Sequence, residues 1–149
     1  MVVTQTSQGY RFSIDAVLLA ASIRPKPDDT LLDLGTGCGI ISLIVAFRYP
    51  RIHIQAVEVQ PELTELAQRN VAANRLEQQI EVIQADMRSL PSGQAKGPFD
   101  WIVSNPPYHR LDTGRINPNT QRALARHEIA VDLEQLLACA RRMLRTGGH

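Results

Sequence analysis

The sequence is poor in cysteine and lysine and has no long apolar run. The few cysteines and the lack of an apolar run each exclude classes of protein. Its two cysteines, Cys38 and Cys139, lie far apart without the close spacing of metal ligands, which argues against a disulfide framework and a metal site. No stretch of about 18 apolar residues occurs, and residues 1–10 are polar. We therefore expect no membrane span, no secretion signal and a reducing, cytoplasmic location.

The remaining composition is that of one globular domain. The chain has 149 residues, of which 44% are hydrophobic and 21% charged, enough to bury a core. The net charge of +1 neither favours nor excludes a nucleic-acid partner. The basic residues are 14 Arg and 2 Lys, and guanidinium groups suit phosphates and base stacking, although a GC-rich genome yields the same ratio.

The apolar pattern predicts strands that alternate with helices. Ser13 is the predicted cap of a first helix. The predicted strands cover 30–34, 52–57, 80–84 and 99–104, and the later helices cover 39–48, 62–74 and 132–147. This alternation indicates an open α/β sheet of parallel strands, in which ligands bind at the carboxyl ends of the strands.

A glycine-rich turn follows the first predicted strand. Asp33 ends the strand, and Gly35, Gly37 and Gly39 follow at alternate positions, a pattern that lets backbone approach a ligand closely. The spacing is G-x-G-x-G and not the G-x-G-x-x-G of dinucleotide sites. Because an acid here would repel a pyrophosphate but suits an ammonium, S-adenosylmethionine fits better than NAD. An NAD-dependent oxidoreductase and a turn used only for packing are the alternatives.

Two further acids end predicted strands. Glu58 is placed to accept both hydroxyls of a ribose. Asp86 could accept a hydrogen bond from an adenine amino group, and Met87 could cover the ring. Solvated acids without a ligand are the alternative for both carboxylates.

The tetrapeptide Asn105-Pro106-Pro107-Tyr108 follows the fourth predicted strand. An exocyclic amino group is a poor nucleophile because its lone pair is delocalised into the ring. The Asn105 side-chain oxygen and the Pro106 carbonyl would accept its hydrogens, and the double proline would fix the backbone that aims them. Tyr108 offers an aromatic face for an extruded base. The motif predicts methylation of an amino group, and a turn without a catalytic role is the alternative.

These motifs resemble those of class I S-adenosylmethionine-dependent methyltransferases, and the tetrapeptide resembles the motif of members that act on adenine, guanine or glutamine amides. The resemblance implies a Rossmann-like fold with parallel strand order 3-2-1-4. It also implies S-adenosyl-L-methionine as cofactor and no metal. The expected cofactor-binding residues in these turns are Asp33, Gly35, Thr36, Gly37, Gly39, Glu58, Val59, Asp86 and Met87.

Residues 8–20 resemble the opening segment of bacterial tRNA (adenine-N6)-methyltransferases that modify valine tRNA beside the anticodon. The resemblance implies that residues 1–24 cover the cofactor and that Arg11, Phe12 and Asp15 close over it. Core packing is the alternative for Phe12. Glutamine methyltransferases carry a helical domain and a proline-rich segment here, and neither is found.

The loop after the tetrapeptide is rich in arginine and resembles the same group of enzymes. We expect Arg110, Arg115, Arg122 and Arg126 to bind phosphates of a tRNA substrate. The alternative is a solvated loop whose arginines pair with acids. Guanine-N2 of ribosomal RNA, a protein glutamine and a non-catalytic cofactor- or RNA-binding module remain open as functions, as does the oligomeric state.

The chain is shorter than the domains that it resembles. We expect residues 1–149 to be a single, partial domain that is truncated before strands 5 to 7. The fourth strand would then present an unpaired edge, with low stability and weakened activity as consequences.

Overall fold

The described part of the chain forms a four-stranded parallel sheet with helices on both faces. The computed structural model describes residues 1–6, 11–90, 95–106 and 133–149. The strands in chain order are β1 (Thr30–Leu34), β2 (His53–Glu58), β3 (Ile80–Gln84) and β4 (Trp101–Ser104). The helices are α1 (Ile14–Ser22), α2 (Ile40–Arg48), α3 (Pro61–Ala73) and α4 (Leu133–Met143), and a 3-10 helix covers Met87–Ser89. The sheet order is β3-β2-β1-β4, as the resemblance implies.

Strand alternation divides the core into two clusters. Along β1, Leu31 belongs to a cluster with α1, α2 and α3, whereas Leu32 and Leu34 belong to a cluster with α4. All three leucines are completely buried. Because successive side chains of a strand point to opposite faces, a run of apolar residues in β1 requires cover on both sides. The helices supply that cover.

The predicted elements are confirmed, with small shifts at their ends. β3 has the predicted bounds, while β2 begins one residue later and includes Glu58. Ser13 is the residue before α1, but its hydroxyl donates to the Asp15 carboxylate (3.0 Å) and makes no cap hydrogen bond to the helix. α4 ends at Met143 and not at the predicted Gly147. Its predicted start at 132 lies outside the described residues.

The expected unpaired edge of β4 is wrong for its first half. Leu144 forms a parallel bridge with Phe99. The amide of Ile102 donates to the His149 carbonyl (2.9 Å), and the amide of His149 donates to the Asp100 carbonyl (2.9 Å). The segment after α4 therefore satisfies backbone groups that the prediction left open, which removes part of the aggregation hazard of a free edge.

None of the helices in the described part of the chain has the length and apolarity that a membrane crossing requires.

Candidate functional site

The carboxyl ends of the four strands meet at one edge of the sheet. Leu34 at the end of β1 is in register with Val57 of β2 and with Ser104 of β4. Glu58 is in register with Gln84 of β3. The described residues that directly follow these strands, which include the glycine turn and Asn105-Pro106, are consequently neighbours at this edge.

The three glycines of the turn adopt left-handed backbone conformations. Their φ angles are +74° at Gly35, +59° at Gly37 and +85° at Gly39, a region that costs other residues about 1–2 kcal/mol. The amides of Gly35 and Thr36 donate to the Val57 carbonyl (2.9 and 3.0 Å), so the turn folds back over β2. The backbone geometry therefore accounts for the glycine spacing, and the close approach of a ligand stays a prediction.

Glu58 is buried, and its carboxylate accepts hydrogen bonds from three backbone amides. One carboxylate oxygen accepts a hydrogen bond from the amide of Gly37 (2.9 Å), and the other accepts from Val59 and Gln60 (both 3.0 Å). Hydrogen bonds from amides stabilise the ionised carboxylate. Glu58 thus connects the glycine turn to the start of α3, a role that the sequence reasoning missed. Its proposed contact with a ribose stays a prediction.

Asp33 lies beneath the turn and is completely buried. One of its oxygens accepts hydrogen bonds from the hydroxyls of Thr36 and Ser42, both at 2.7 Å. Burial raises the pKa of Asp33, and these hydroxyl bonds oppose the rise. Ser42, in the first turn of α2, was not predicted because a serine within an apolar helix carries no distinctive sequence signal.

The other oxygen of Asp33, Oδ1, is buried and has no hydrogen-bond partner among the described residues. An unsatisfied carboxylate oxygen at this depth is a source of negative potential under the turn. This arrangement fits a ligand with a cationic end, as the sequence predicts for the methionine moiety of S-adenosylmethionine.

Asp86 and Met87 follow β3, and Met87 approaches the same turn. The Asp86 carboxylate accepts from the guanidinium of Arg88 (Nε at 2.9 and 2.8 Å) and from its backbone amide (2.9 Å). Hydrogen bonds from Arg88 lower the pKa of Asp86. A Cβ atom at Gly35 would lie 3.6 Å from Met87 Cε. Met87 thus borders the turn, and Arg88 is a partner of Asp86 that the motif analysis missed, although the spacing of an acid and an arginine two residues apart was visible.

Asn105 and Pro106 directly follow β4 and are both half-buried. The Ser104 hydroxyl donates to the Leu34 carbonyl (2.8 Å), which ties the end of β4 to the end of β1. Asn105 therefore follows β4 at the position where Gly35 follows β1. Pro107 and Tyr108 lie outside the described residues, as do Arg110, Arg115, Arg122 and Arg126.

The residues expected to close over a cofactor lie at the start of α1. Phe12 is half-buried and packs against the core cluster of α1, α2 and α3, as the packing alternative expects. Arg11 and Asp15 are exposed. Their predicted contact with a cofactor stays a prediction.

The chain is similar in sequence to a described family and to curated enzymes. A family model described as the methyltransferase small domain matches residues 9–149. The tRNA1(Val) (adenine(37)-N6)-methyltransferase of Porphyromonas gingivalis (strain ATCC 33277) is 36% identical over 153 residues, which cover 99% of this chain and 59% of that protein. The enzyme of the same name from Shewanella loihica is 36% identical, over 94% of this chain and 58% of that protein. The chain thus spans less than two thirds of the length of these relatives.

Solved structures share the fold at low sequence identity. A precorrin-6y C5,15-methyltransferase from Geobacter metallireducens has a TM-score of 0.68 at 15% identity, with 98% of this chain and 64% of that chain covered. A methyltransferase from Thiobacillus denitrificans in complex with S-adenosyl-L-homocysteine has a TM-score of 0.66 at 18% identity, with 92% and 46% covered. The fold is accordingly the Rossmann-like fold of these methyltransferases.

Proposed function

The chain belongs to the methyltransferase small domain family, and from this premise we propose that the protein uses S-adenosylmethionine to methylate N6 of an adenine in tRNA beside the anticodon. Curated relatives with that activity in their names support the substrate. One structural observation supports methyl transfer to an amino group as the type of reaction. The pairing of Leu34 with Ser104 brings the Asn105-Pro106 segment next to the glycine turn.

Several groups at the strand ends would bind the cofactor. Glu58 would accept the ribose hydroxyls while its amide bonds hold the turn. The unpartnered oxygen of Asp33 would attract the ammonium group, and Met87 would contact the adenine ring. When bound, the cofactor supplies an electrophilic methyl group on a sulfonium. We further propose that residues 1–149 belong to a single domain in which residues 1–24 cover the cofactor.

The Asn105-Pro106 segment would prepare the nucleophile. The Asn105 side-chain oxygen and the Pro106 carbonyl would accept the two hydrogens of the adenine amino group. This draws the nitrogen lone pair out of conjugation with the ring, so that the nitrogen can attack the methyl carbon in line. The nitrogen–carbon bond forms as the carbon–sulfur bond breaks, and the surplus proton leaves to solvent. Pro107 would fix the backbone and Tyr108 would stack on the base.

The substrate would be held by cationic groups outside the described residues. Arg110, Arg115, Arg122 and Arg126 would contact phosphates that flank the inserted adenine. With a tRNA substrate, the reaction would take place in the cytoplasm, and we propose that location.

The substrate assignment is tested by incubating the full-length protein with labelled S-adenosylmethionine and bulk tRNA, followed by analysis of digested nucleosides. We expect label in N6-methyladenosine. In parallel incubations with ribosomal RNA and with a protein fraction, label in N2-methylguanosine or in protein glutamine would identify that group as the target in place of adenine. Binding of S-adenosylhomocysteine without turnover on tRNA, ribosomal RNA or protein would identify a non-catalytic module and overturn the proposal.

The role of Asn105 is tested by Asn105→Ala. Loss of a preorganised acceptor is expected to lower kcat by about 100-fold or more, with the affinity for S-adenosylhomocysteine unchanged because Asn105 is assigned to the target base. Gln84→Ala is the matched control, since Gln84 is a side-chain amide exposed at the end of β3. Equal activity of the Asn105 variant and the control would reject the catalytic assignment.

A further inference from the structure

Residues 2–4, here called the N-terminal strap, are bound to α3 by two asparagine side chains. The amide of Val2 donates to Asn74 Oδ1 (2.8 Å), and Asn74 Nδ2 donates to the Val2 carbonyl (2.6 Å). The amide of Thr4 donates to Asn70 Oδ1 (2.8 Å), and Asn70 Nδ2 donates to the Thr4 carbonyl (3.0 Å). Each asparagine amide therefore pairs with one residue of the strap in the way that a neighbouring peptide group would.

The spacing of the two asparagines explains why this pairing repeats. Four residues of a helix rise by about 6 Å, and two residues of an extended chain span about 6.6–6.8 Å. Asn70 and Asn74 are four residues apart on α3, and they bind strap residues that are two apart. The strap runs antiparallel to α3, since its earlier residue meets the later asparagine. Two matched amides thus give the strap a defined position.

Asn70 differs from Asn74 in its second contact. Asn70 is 1% exposed, and its Nδ2 also donates to the carbonyl of Cys38 in the glycine turn (2.9 Å). Asn74 instead gives its further bond to the Asn70 carbonyl within α3 (2.8 Å). The same amide group of Asn70 therefore contacts both the strap and the turn.

The bonded carbonyl belongs to the peptide that links Cys38 to Gly39. The amide of that peptide, on Gly39, donates to the Thr36 carbonyl (3.0 Å), so both polar groups of the peptide are held. Glycines permit many backbone conformations, and Gly37 and Gly39, on either side of Cys38, both have positive φ. Hydrogen bonds from outside the turn therefore help to select one backbone conformation, and Asn70 donates one of these hydrogen bonds.

We infer that Asn70 is a positioning residue, which holds the Cys38–Gly39 peptide of the glycine turn in the cofactor-binding conformation and joins that turn to the N-terminal strap. The inference rests on the proposed function for the identity of the cofactor. Asn70 acts through the turn and is not assigned a contact with the cofactor. Losing its amide leaves the buried Cys38 carbonyl without this donor.

The test compares Asn70→Ala with Asn74→Ala in the full-length protein. Both variants lose a pair of hydrogen bonds to the strap, but only the first loses the contact with the turn. Calorimetric titration is expected to show that S-adenosylhomocysteine binds about tenfold more weakly to Asn70→Ala. Asn74→Ala, which loses contacts with the strap but none with the turn, is expected to lose much less affinity. Thermal melts without ligand identify the folded variants. If Asn70→Ala does not fold, Asn70→Ser replaces it, because its shorter side chain cannot reach both partners.

A second readout does not depend on cofactor binding. In ¹H–¹⁵N spectra without ligand, the amide signals of Gly37 and Gly39 are expected to shift in Asn70→Ala and to stay in place in Asn74→Ala. Equal effects of the two variants on affinity, or unshifted glycine signals in Asn70→Ala, would overturn the positioning role. Failure of the unchanged protein to bind S-adenosylhomocysteine would instead overturn the proposed function, and the glycine signals would still decide the contact with the turn.

Discussion

At the scale of single residues, three acids at the strand ends have different surroundings and therefore different electrostatics. Asp33 is completely buried, and burial raises its pKa. Glu58 is held by three backbone amides. Asp86 is paired with Arg88, whose hydrogen bonds lower its pKa. All three are carboxylic acids, so the residue type alone does not show that Asp33 is a buried source of negative potential, that Glu58 binds backbone amides and that Asp86 is paired with an arginine.

Arg88→Ala is expected to destabilise the protein in a pH-dependent way. A carboxyl with a lowered folded-state pKa stabilises the fold above its unfolded pKa, near 3.8, and this contribution is lost as the pH falls through the folded pKa. Because Arg88 is half exposed, we expect a loss of about 0.2–1 kcal/mol in the free energy of unfolding at about pH 7. The loss should shrink towards about pH 3.

Urea unfolding at the two pH values measures this difference, with Arg69→Ala as a control at an exposed arginine on α3. A loss in Arg88→Ala that is the same at both pH values would contradict the assignment.

At the scale of elements, the glycine turn connects β1 to α2 and places Gly39, just before α2, beside α3. A Cβ atom at Gly39 would lie 3.5 Å from Ala67 Cβ on α3, which is an ordinary contact. Space is therefore not the reason for glycine at this position. The left-handed φ of +85° is the reason, because a side chain at that φ collides with its own backbone.

Gly39→Ala is expected to lower the free energy of unfolding by about 1–2 kcal/mol through backbone strain. Gly147→Ala is the matched control, since Gly147 has a φ of +78° and a Cβ there would have nothing within 4 Å. Denaturant unfolding should give similar losses for both variants, whereas only Gly39→Ala should weaken the binding of S-adenosylhomocysteine. A much smaller loss of unfolding free energy in Gly147→Ala would show that the loss in Gly39→Ala comes from packing against Ala67 and not from backbone strain.

At the scale of the whole molecule, the face covered by α4 depends on contacts between distant parts of the chain. Phe99, just before β4, is 2% exposed and packs in one cluster with Cys139 and Met143 of α4. Its amide donates to the Met143 carbonyl (2.8 Å), and the amide of Arg145 donates to its carbonyl (3.0 Å). Phe99 thus joins the sheet, α4 and the following segment.

Phe99→Ala is expected to cost about 3–5 kcal/mol, the usual effect of removing a buried aromatic ring. That is a large share of the stability of a domain of this size. Phe47→Ala is the matched control, because Phe47 is 64% exposed on α2 and its loss should change stability by less than about 0.5 kcal/mol. Urea midpoints of the two variants measure the difference. Similar midpoints would show that the cluster around Phe99 does not stabilise the fold.

Local sequence patterns were enough to predict the elements, their alternation and the places of the glycine turn, Glu58 and Asn105 at strand ends. Strand and helix periodicity and the conformational freedom of glycine act over a few residues, so they are readable locally. The family resemblance added the strand order, which periodicity does not contain. The Asp86–Arg88 pair was also local, with its partners two residues apart.

The tertiary structure decided which polar groups meet. Asn70 binds Cys38 and Thr4 across 32 and 66 residues, and Asp33 binds Ser42 only because α2 packs back on β1. The segment after α4 satisfies the first half of the edge of β4 in the same way. A hydrogen bond depends on distance and direction between atoms, and residues far apart in the chain acquire both only when the crossovers have formed and the core has packed.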